Sequence, residues 1–414
     1  MLRKRKKGGE CAGGEFVMLL EECLNKVMDA SPEIRAVSDY IYRHPEIALQ
    51  EYKAVEKQCA LLKKWDFSIR RRVGGLDTAF CASRTTGKAP ADSKTGKKRP
   101  KFCFLSEYDA LPGLGHGCGH HLICASALAA ARAASELMEE KGMDAEVLLM
   151  GTPAEEGKGG KVILVREGGF QGIDACLISH PYDVSSMDDG ALSVTHCRVI
   201  FHGVASHAAM APEKGVNALN AMIQFFNGLA LWRQCLPENT RVHGIITNGG
   251  AAANVIPDCT EALIYVRAPD NETQEKMERH FREIAEGAAF STGTTVELIN
   301  ESGYRAIRWN RSFNEEYAAC WEKMGETIRH AKGCEGRAST DFGDVSQIMP
   351  GANLHFGICA EAGVPLHCVE FREAAGTDFA FSQAMKTGAA MAAICIRYCS
   401  DPGFRASVDG DFRQ

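Results

Sequence analysis

"KFCFLSEYDALPGLGHGCGHHLICASALAAARAASELMEEKG", Lys101–Gly142, joins three kinds of chain in forty-two residues. "KFCFLSEYDA" reads as a short buried strand, a glycine-rich turn follows, and "HLICASALAAARAASELMEEKG" reads as an alanine-rich helix closed by Gly142. The rhythm then repeats. "AEVLLMGTPAEE" is a strand entering a polar loop, "KVILVREGG" is helical, and "DACLISHPYD" is a third apolar run that carries a histidine. Strands alternating with helices predict an α/β domain with a mostly parallel sheet covered on both faces by helices. Ligands of such sheets bind beyond the carboxyl ends of the strands. Glu107, Asp109, Cys118, His120, Glu155, Glu156 and His180 all fall at or just after those ends, so they are expected to converge although they lie far apart in the chain.

Working outward, residues 17–65 carry helical spacing, and "HPEIALQEYKAVEKQCALLKKW" reads as a loop feeding an amphipathic helix. "ASRTTGKAPADSKTGKKRPK", residues 82–101, reads as a surface loop between strands. After a polar linker near "SSMDDG" the pattern changes to strand 192–203, helix 214–234, strands 241–248 and 258–267, helix 272–290 and strand 294–299. That β-α-β-β-α-β order predicts an inserted ferredoxin-like α+β unit. The first pattern then resumes, with "ANLHFGICA" as a strand, "PLHCVEF" as a loop and "TDFAFSQAMKTGAAMAAICIRYC" as a final helix. The expected domains are residues 15–190 and 304–414, forming one catalytic domain in two parts, and the insertion 191–303.

Length and composition agree with two soluble domains: 414 residues exceed what one core usually organises, with 45% hydrophobic and 24% charged residues. A net charge of −6 supplies no broad cationic surface, so neither nucleic acid nor membrane is expected as a partner. The basic "RKRKK" at residues 3–7 reads as a solvated terminus, and no secretory or transmembrane segment is expected. The 17 cysteines include no CxxC pair and no disulfide-framework spacing, which points to a reducing cytoplasm. Cys124, Cys176 and Cys197 sit in apolar runs as small core residues, whereas Cys118 is ringed by Gly, His and turn residues.

The adjacent acids Glu155 and Glu156 repel one another unless a cation sits beside them. A divalent metal meets that need, with one carboxylate as ligand and its neighbour as general base. Cys118-Gly-His120 lets a thiolate and an imidazole approach one ion from a tight turn, Gly119 permitting the bend. Cys-x-His alone is a weak signal; the glutamate pair, His180 and His367 strengthen it. The mixed donor set suits zinc, with manganese or cobalt as alternatives because carboxylates are hard ligands. Asp109 is placed to orient a ligand or bridge to one. His207, in "GVASHAAMAPEKG", falls in the insertion and is a candidate oxyanion donor from a lid. Asp341 and Asp344 in "STDFGDVS" either meet a basic substrate end or cap the next helix.

With these residues in view, the chain resembles metallopeptidase family twenty, which includes aminoacylase, hippurate hydrolase, auxin-conjugate amidohydrolases and carboxypeptidase G. The resemblance runs in order through "HPEIALQE", "EYDALP", "GHGCGHH", "GTPAEEGKGG", "SHP", "ASHAAMAPEKGVNAL", "NGGAAANVIP", "STDFGDVS" and "PLHCVEF". It implies two divalent ions held by Cys118, His120, Glu156, His180 and His367, with Cys118 shared and Glu155 as general base. It also implies that His207 reaches an active site across a homodimer interface made by the insertion, and that Asn254 and Arg267 hold the substrate amide and carboxylate. The implied reaction is amide hydrolysis of small dipeptides or N-acyl amino acids. "LSEYDALPGLGHGCGHH", "RVHGIITNGG" and "STDFGDVS" resemble the branch acting on β-alanyl or γ-aminobutyryl conjugates of lysine or ornithine. The family places Asp or Asn where this chain has His121, and His116 is left without a role. A catalytically silent metal-binding scaffold and a Cys118-nucleophile hydrolase are the competing readings.

Overall fold

The computed structural model describes residues 9–87, 99–187, 190–330 and 338–414, with side chains from Phe16 onward. The "RKRKK" segment, most of the 82–101 loop and part of the "SSMDDG" linker lie outside the described residues. The chain divides into two compact units, one of residues 1–189, 308–335 and 345–414, the other of 190–307 and 336–344.

In the first unit, α1 (Gly9–Arg43) and α2 (Tyr52–Lys64) precede β1 (Ser68–Arg71), β2 (Phe80–Thr86) and β3 (Lys101–Ser106). Then come α3 (His120–Glu140), β4 (Ala145–Gly151), the turn-like α4 (Glu155–Lys158), α5 (Gly160–Arg166) and β5 (Ala175–Tyr182). The second unit holds β6 (Ser193–His202), β7 (Ser206–His207), α6 (Ala218–Arg233), β8 (Arg241–Asn248), β9 (Val255–Ile256), β10 (Cys259–Ala268), α7 (Asn271–Thr292) and β11 (Thr295–Tyr304). The chain ends with α8 (Arg311–Lys323), α9 (Phe342–Ser346), β12 (Gly351–Gly357), α10 (Val369–Ala375), α11 (Asp378–Ser400) and α12 (Pro402–Arg413).

The six-stranded sheet has the order β1-β2-β4-β3-β5-β12. Strands β4, β3, β5 and β12 run parallel, and β1 and β2 form an antiparallel edge. The inner strands are buried along nearly their whole length because helices cover both faces, which is why "FCFL", "VLLM" and "ACLIS" read as unbroken apolar runs. Helix α3 is buried on almost every side, and its alanines let α11 approach closely: a Cβ on Gly388 would meet Ala129 Cβ at 2.6 Å. By length and composition α11 could cross a bilayer, and here that apolar surface is buried within the unit.

The C-terminal part corrects two expectations. "PLHCVEF" turns helical at Val369, because Cys368 Sγ accepts the Phe371 N–H at 3.4 Å and starts α10. The helix expected to be last is followed by α12, whose first turn is capped by Asp401. Helix α8, with Asn310 as its cap and Phe313, Tyr317 and Trp321 on its buried face, has no counterpart in the sequence reading.

The second unit is a four-stranded antiparallel sheet of order β11-β6-β10-β8, the ferredoxin-like arrangement, with a small β7–β9 pair beside it. Val199, Phe201, Phe225, Ile264 and Phe281 form its separate core. Asn217 and Asp270 cap α6 and α7. Among the described residues, edge strand β8 pairs only with β10 and leaves Ile245 and Ile246 exposed. Asp344 accepts the Arg305 N–H at 3.0 Å and Asp341 is fully buried, so neither is presented as an open acidic surface.

Candidate metal centre

At the carboxyl end of β3 the chain stays buried through Glu107, Tyr108 and Asp109. Tyr108 anchors this segment by donating its hydroxyl to Thr78 O at 2.6 Å. Asp109 then uses both oxygens: Oδ1 meets His120 Nδ1 at 3.0 Å and Oδ2 accepts the Glu156 N–H at 2.9 Å. Burial pushes the Asp109 carboxyl up, and the charge and hydrogen bond of His120 outweigh it, leaving it below the ordinary range. One carboxylate therefore ties the turn before α3 to the turn after β4.

The Cys-Gly-His turn needs its glycine. Gly119 has φ +76° and caps α3, and a Cβ there would meet Pro181 Cγ at 2.6 Å. The second turn is also left-handed, with Ala154 at φ +63° and Gly157 at φ +86°. Buried Glu51 supports it, accepting the Ala154 and Leu49 N–H groups at 2.9 Å each. His367, at φ +65°, is tied to the first turn through its N–H to Gly117 O at 3.0 Å.

Cys118, His120, Glu155, Glu156, His180 and His367 are brought together. Cys118, His120 and His180 form one triad of possible ligand atoms, Cys118, Glu156 and His367 a second, and His120, Glu155 and Glu156 a third; within each, the atoms lie within 4.8 Å of one another. Cys118 Sγ is 3.5 Å from His180 Nε2, and His367 Nε2 is 3.2 Å from Glu156 Oε1. The histidine tautomers fit a cation. His120 donates Nδ1–H to Asp109 and His180 donates Nδ1–H to Pro181 O at 2.8 Å, so each turns Nε2 toward the cluster, where it can take a cation. His120 Nε2 is buried without a well-formed hydrogen bond, and buried Glu156 Oε1 has only the ion-pair contact with His367. Such atoms beside a thiol, imidazoles and carboxylates match the donor chemistry of a divalent metal site.

Burial depresses His180 to about 4, keeping it neutral as a ligand must be. Burial pulls His120 down too, but Asp109, Cys118 and Glu107 raise it well above the usual imidazole range, so its Nε2 attracts a positive charge. Burial pushes the Cys118 thiol up, the reverse of what a nucleophilic cysteine needs.

His121 faces away from the ligands. Its Nε2 meets Ala375 O at 3.0 Å, and its ring packs against Tyr42 and His116, with centroids 4.8 and 5.1 Å apart. Here the histidine links the start of α3 to the end of α10. His116 Nε2 meets Ile41 O at 3.1 Å. The supporting role of Glu51 and the contact of Glu107 with Lys161 lie beyond the sequence reading; their only trace there is a charged residue inside an otherwise apolar or glycine-rich motif.

His207, Asn254 and Arg267 belong to the second unit. The β7–β9 pairing sets His207 against Val255, and Asn254 O accepts the Ala208 N–H at 3.0 Å, so His207 and Asn254 are neighbours. His207 Nδ1 accepts the Ala209 and Met210 N–H groups at 3.2 Å, which leaves its proton on Nε2. Arg267 lies near the other end of β10, where Nη1 donates to Ser339 Oγ at 2.8 Å. Burial lowers its pKa.

A parallel-stranded catalytic unit with a clustered Cys/His/Glu donor set, carrying a ferredoxin-like insertion, defines a two-domain metallohydrolase. Residues 191–292 match the peptidase dimerisation domain of the M20 family. The chain is 33% identical to the Xaa-Arg dipeptidase of Homo sapiens, covering 98% of this chain and 95% of the relative. It is 30% identical to one of the subunits of p-aminobenzoyl-glutamate hydrolase from Escherichia coli, over 91% of each. Its fold matches a dinuclear metal-binding M20 peptidase of Bacillus subtilis with a TM-score of 0.65 at 20% identity, covering 89% of this chain and 99% of that one. The chain belongs to the M20 peptidase family, and it is a metal-dependent amidohydrolase of the dipeptidase type.

Proposed function

We propose that the protein is a cytoplasmic, homodimeric dipeptidase with two zinc ions, cleaving dipeptides that end in a basic amino acid, including β-alanyl and γ-aminobutyryl conjugates of lysine or ornithine. The observation that carries the reading is the pair of triads sharing Cys118 with Glu155 beside them. The preference for a basic residue is supported by similarity to Xaa-Arg dipeptidases over nearly the whole chain. All described cysteines are free, which supports a reducing compartment.

Cys118, His120 and His180 would hold one ion, and Cys118, Glu156 and His367 the other. When bound, the ions polarise the scissile carbonyl and acidify the attacking water. Glu155 takes the proton from that water and returns it to the leaving amine. Asp109 keeps His120 in the tautomer a ligand needs. Arg267 holds the substrate carboxylate and Asn254 the amide, while His207 donates Nε2–H to the developing oxyanion. The β10 register supports a dimer in this scheme. Arg267 stands eight residues from Cys259, about 26 Å along a strand, and Cys259 pairs with His202, just ahead of the His207 loop. That separation along one strand favours a reading in which His207 and Asn254 act on substrate held by Arg267 of the other protomer.

The test is release of free amino acid from β-alanyl-lysine, β-alanyl-arginine and acetyl- or hippuryl-amino acids, with and without chelator. Glu155→Gln is expected to lower kcat by about 10²–10⁴ while retaining metal. Activity that survives both chelation and Glu155→Gln refutes the reading.

A further inference from the structure

Glu107 and Lys161 form an ion pair of 2.6 Å between Oε1 and Nζ, with both side chains essentially inaccessible to solvent. Taking two charges out of water is costly, and an apolar pair of similar volume would be the simpler core. The second carboxylate oxygen gives the pair a use. Glu107 Oε2 is buried without a hydrogen-bond partner and lies 3.4 Å from His120 Nε2, which also has none. Because the Nδ1–H of His120 goes to Asp109, the gap between Nε2 and Oε2 is a place for one positive charge, a proton or a metal ion in its stead.

The Cys118–Glu156–His367 triad has its own carboxylate, whereas Cys118, His120 and His180 have none. We infer that Glu107 is a further metal-directed carboxylate, its Oε2 facing the ion held by Cys118, His120 and His180, and that Lys161 on α5 grips Oε1 to fix this orientation. The inference rests on the two-ion reading above. Lys161 also limits the excess negative charge, so the unit can fold before metal is bound.

The full chain is stripped of metal and titrated with Zn²⁺ against a chromophoric chelator, with thermal melts recorded with and without Zn²⁺. Glu107→Gln is isosteric, and the double variant Glu107→Gln/Lys161→Met removes both buried charges so that neither is left unpaired. Both are expected to weaken one ion about 10–100-fold and leave the other at wild-type affinity. The zinc-induced rise in Tm shrinks in both, and it grows in Lys161→Met, where the ion becomes the sole cationic partner of Glu107. Wild-type affinity for both ions in the double variant overturns the inference, as does a changed metal-free Tm with an unchanged zinc increment. Failure of the underlying reading looks different: Cys118→Ala would then leave zinc binding unaltered, and the inference would fall with it.

Discussion

Asp109→Asn isolates what holds the two ligand turns in register. The carboxylate bonds His120 Nδ1 at 3.0 Å and the Glu156 N–H at 2.9 Å, one oxygen to each. Asparagine keeps the shape but has one acceptor oxygen, and its amide N–H₂ must face one of two donors. One charge-assisted hydrogen bond is lost whichever way it turns, about 1.5–3 kcal/mol. At about 1.4 kcal/mol per tenfold, that is roughly a ten- to hundredfold loss of metal affinity. The loss falls unevenly, because His120 belongs to one Cys118 triad and Glu156 to the other. If the amide oxygen stays on His120, the Glu156 turn loosens; if it turns to Glu156, His120 loses its fixed tautomer. A competition titration with zinc is therefore expected to resolve one weakened and one nearly native site, with kcat falling in step with occupancy at limiting metal. Two sites of wild-type affinity in a folded Asp109→Asn protein would refute the argument that this residue organises the centre.

Gly119→Ala forces a left-handed residue to carry a Cβ and drives it to 2.6 Å from Pro181 Cγ; it is expected to lose about 1–2 kcal/mol from the backbone alone, read as a lower urea midpoint, together with weaker zinc binding. Burial depresses His116 to about 4 and His355 to about 3, whereas both titrate near 6.5 when unfolded. The unfolded chain therefore binds more protons at these two sites between those values, so their contribution to metal-free stability is full above about pH 6.5 and is lost as pH drops toward 3. Urea midpoints across pH 4–7 check this, and a flat profile contradicts it. If the proposed dimer forms through edge strand β8, Ile245→Asp on its exposed face is expected to give a monomer in light scattering and to abolish turnover without removing metal; a fully active monomer would count against cross-protomer catalysis.

How much of this is legible in the sequence depends on whether a residue's partner lies within reach of a local pattern. The inner strands are, because burial on both faces writes itself as an unbroken apolar run, and Gly119 is, because a turn that tight needs one. The approach of the two glutamates and His180 follows from strand ends, whereas His367, ten residues past β12, is placed by its N–H to Gly117 O. By contrast, α8 carries its aromatic face among acids and polar residues, so its periodicity is diluted, and α10 begins at a cysteine cap that no common capping pattern announces. His121 shows where local reading stops. It stands directly after His120, where an outer hydrogen bond of the centre is expected, yet Asp109, eleven positions before His120, already fills that place. The imidazole is free to turn outward and reach Ala375 O, on the helix that follows His367. A shorter side chain at this point on α3 could not span to α10 in the same way. His121 thus contributes its hydrogen bond to the link between α3 and α10 and leaves the candidate ligand side chains to Asp109.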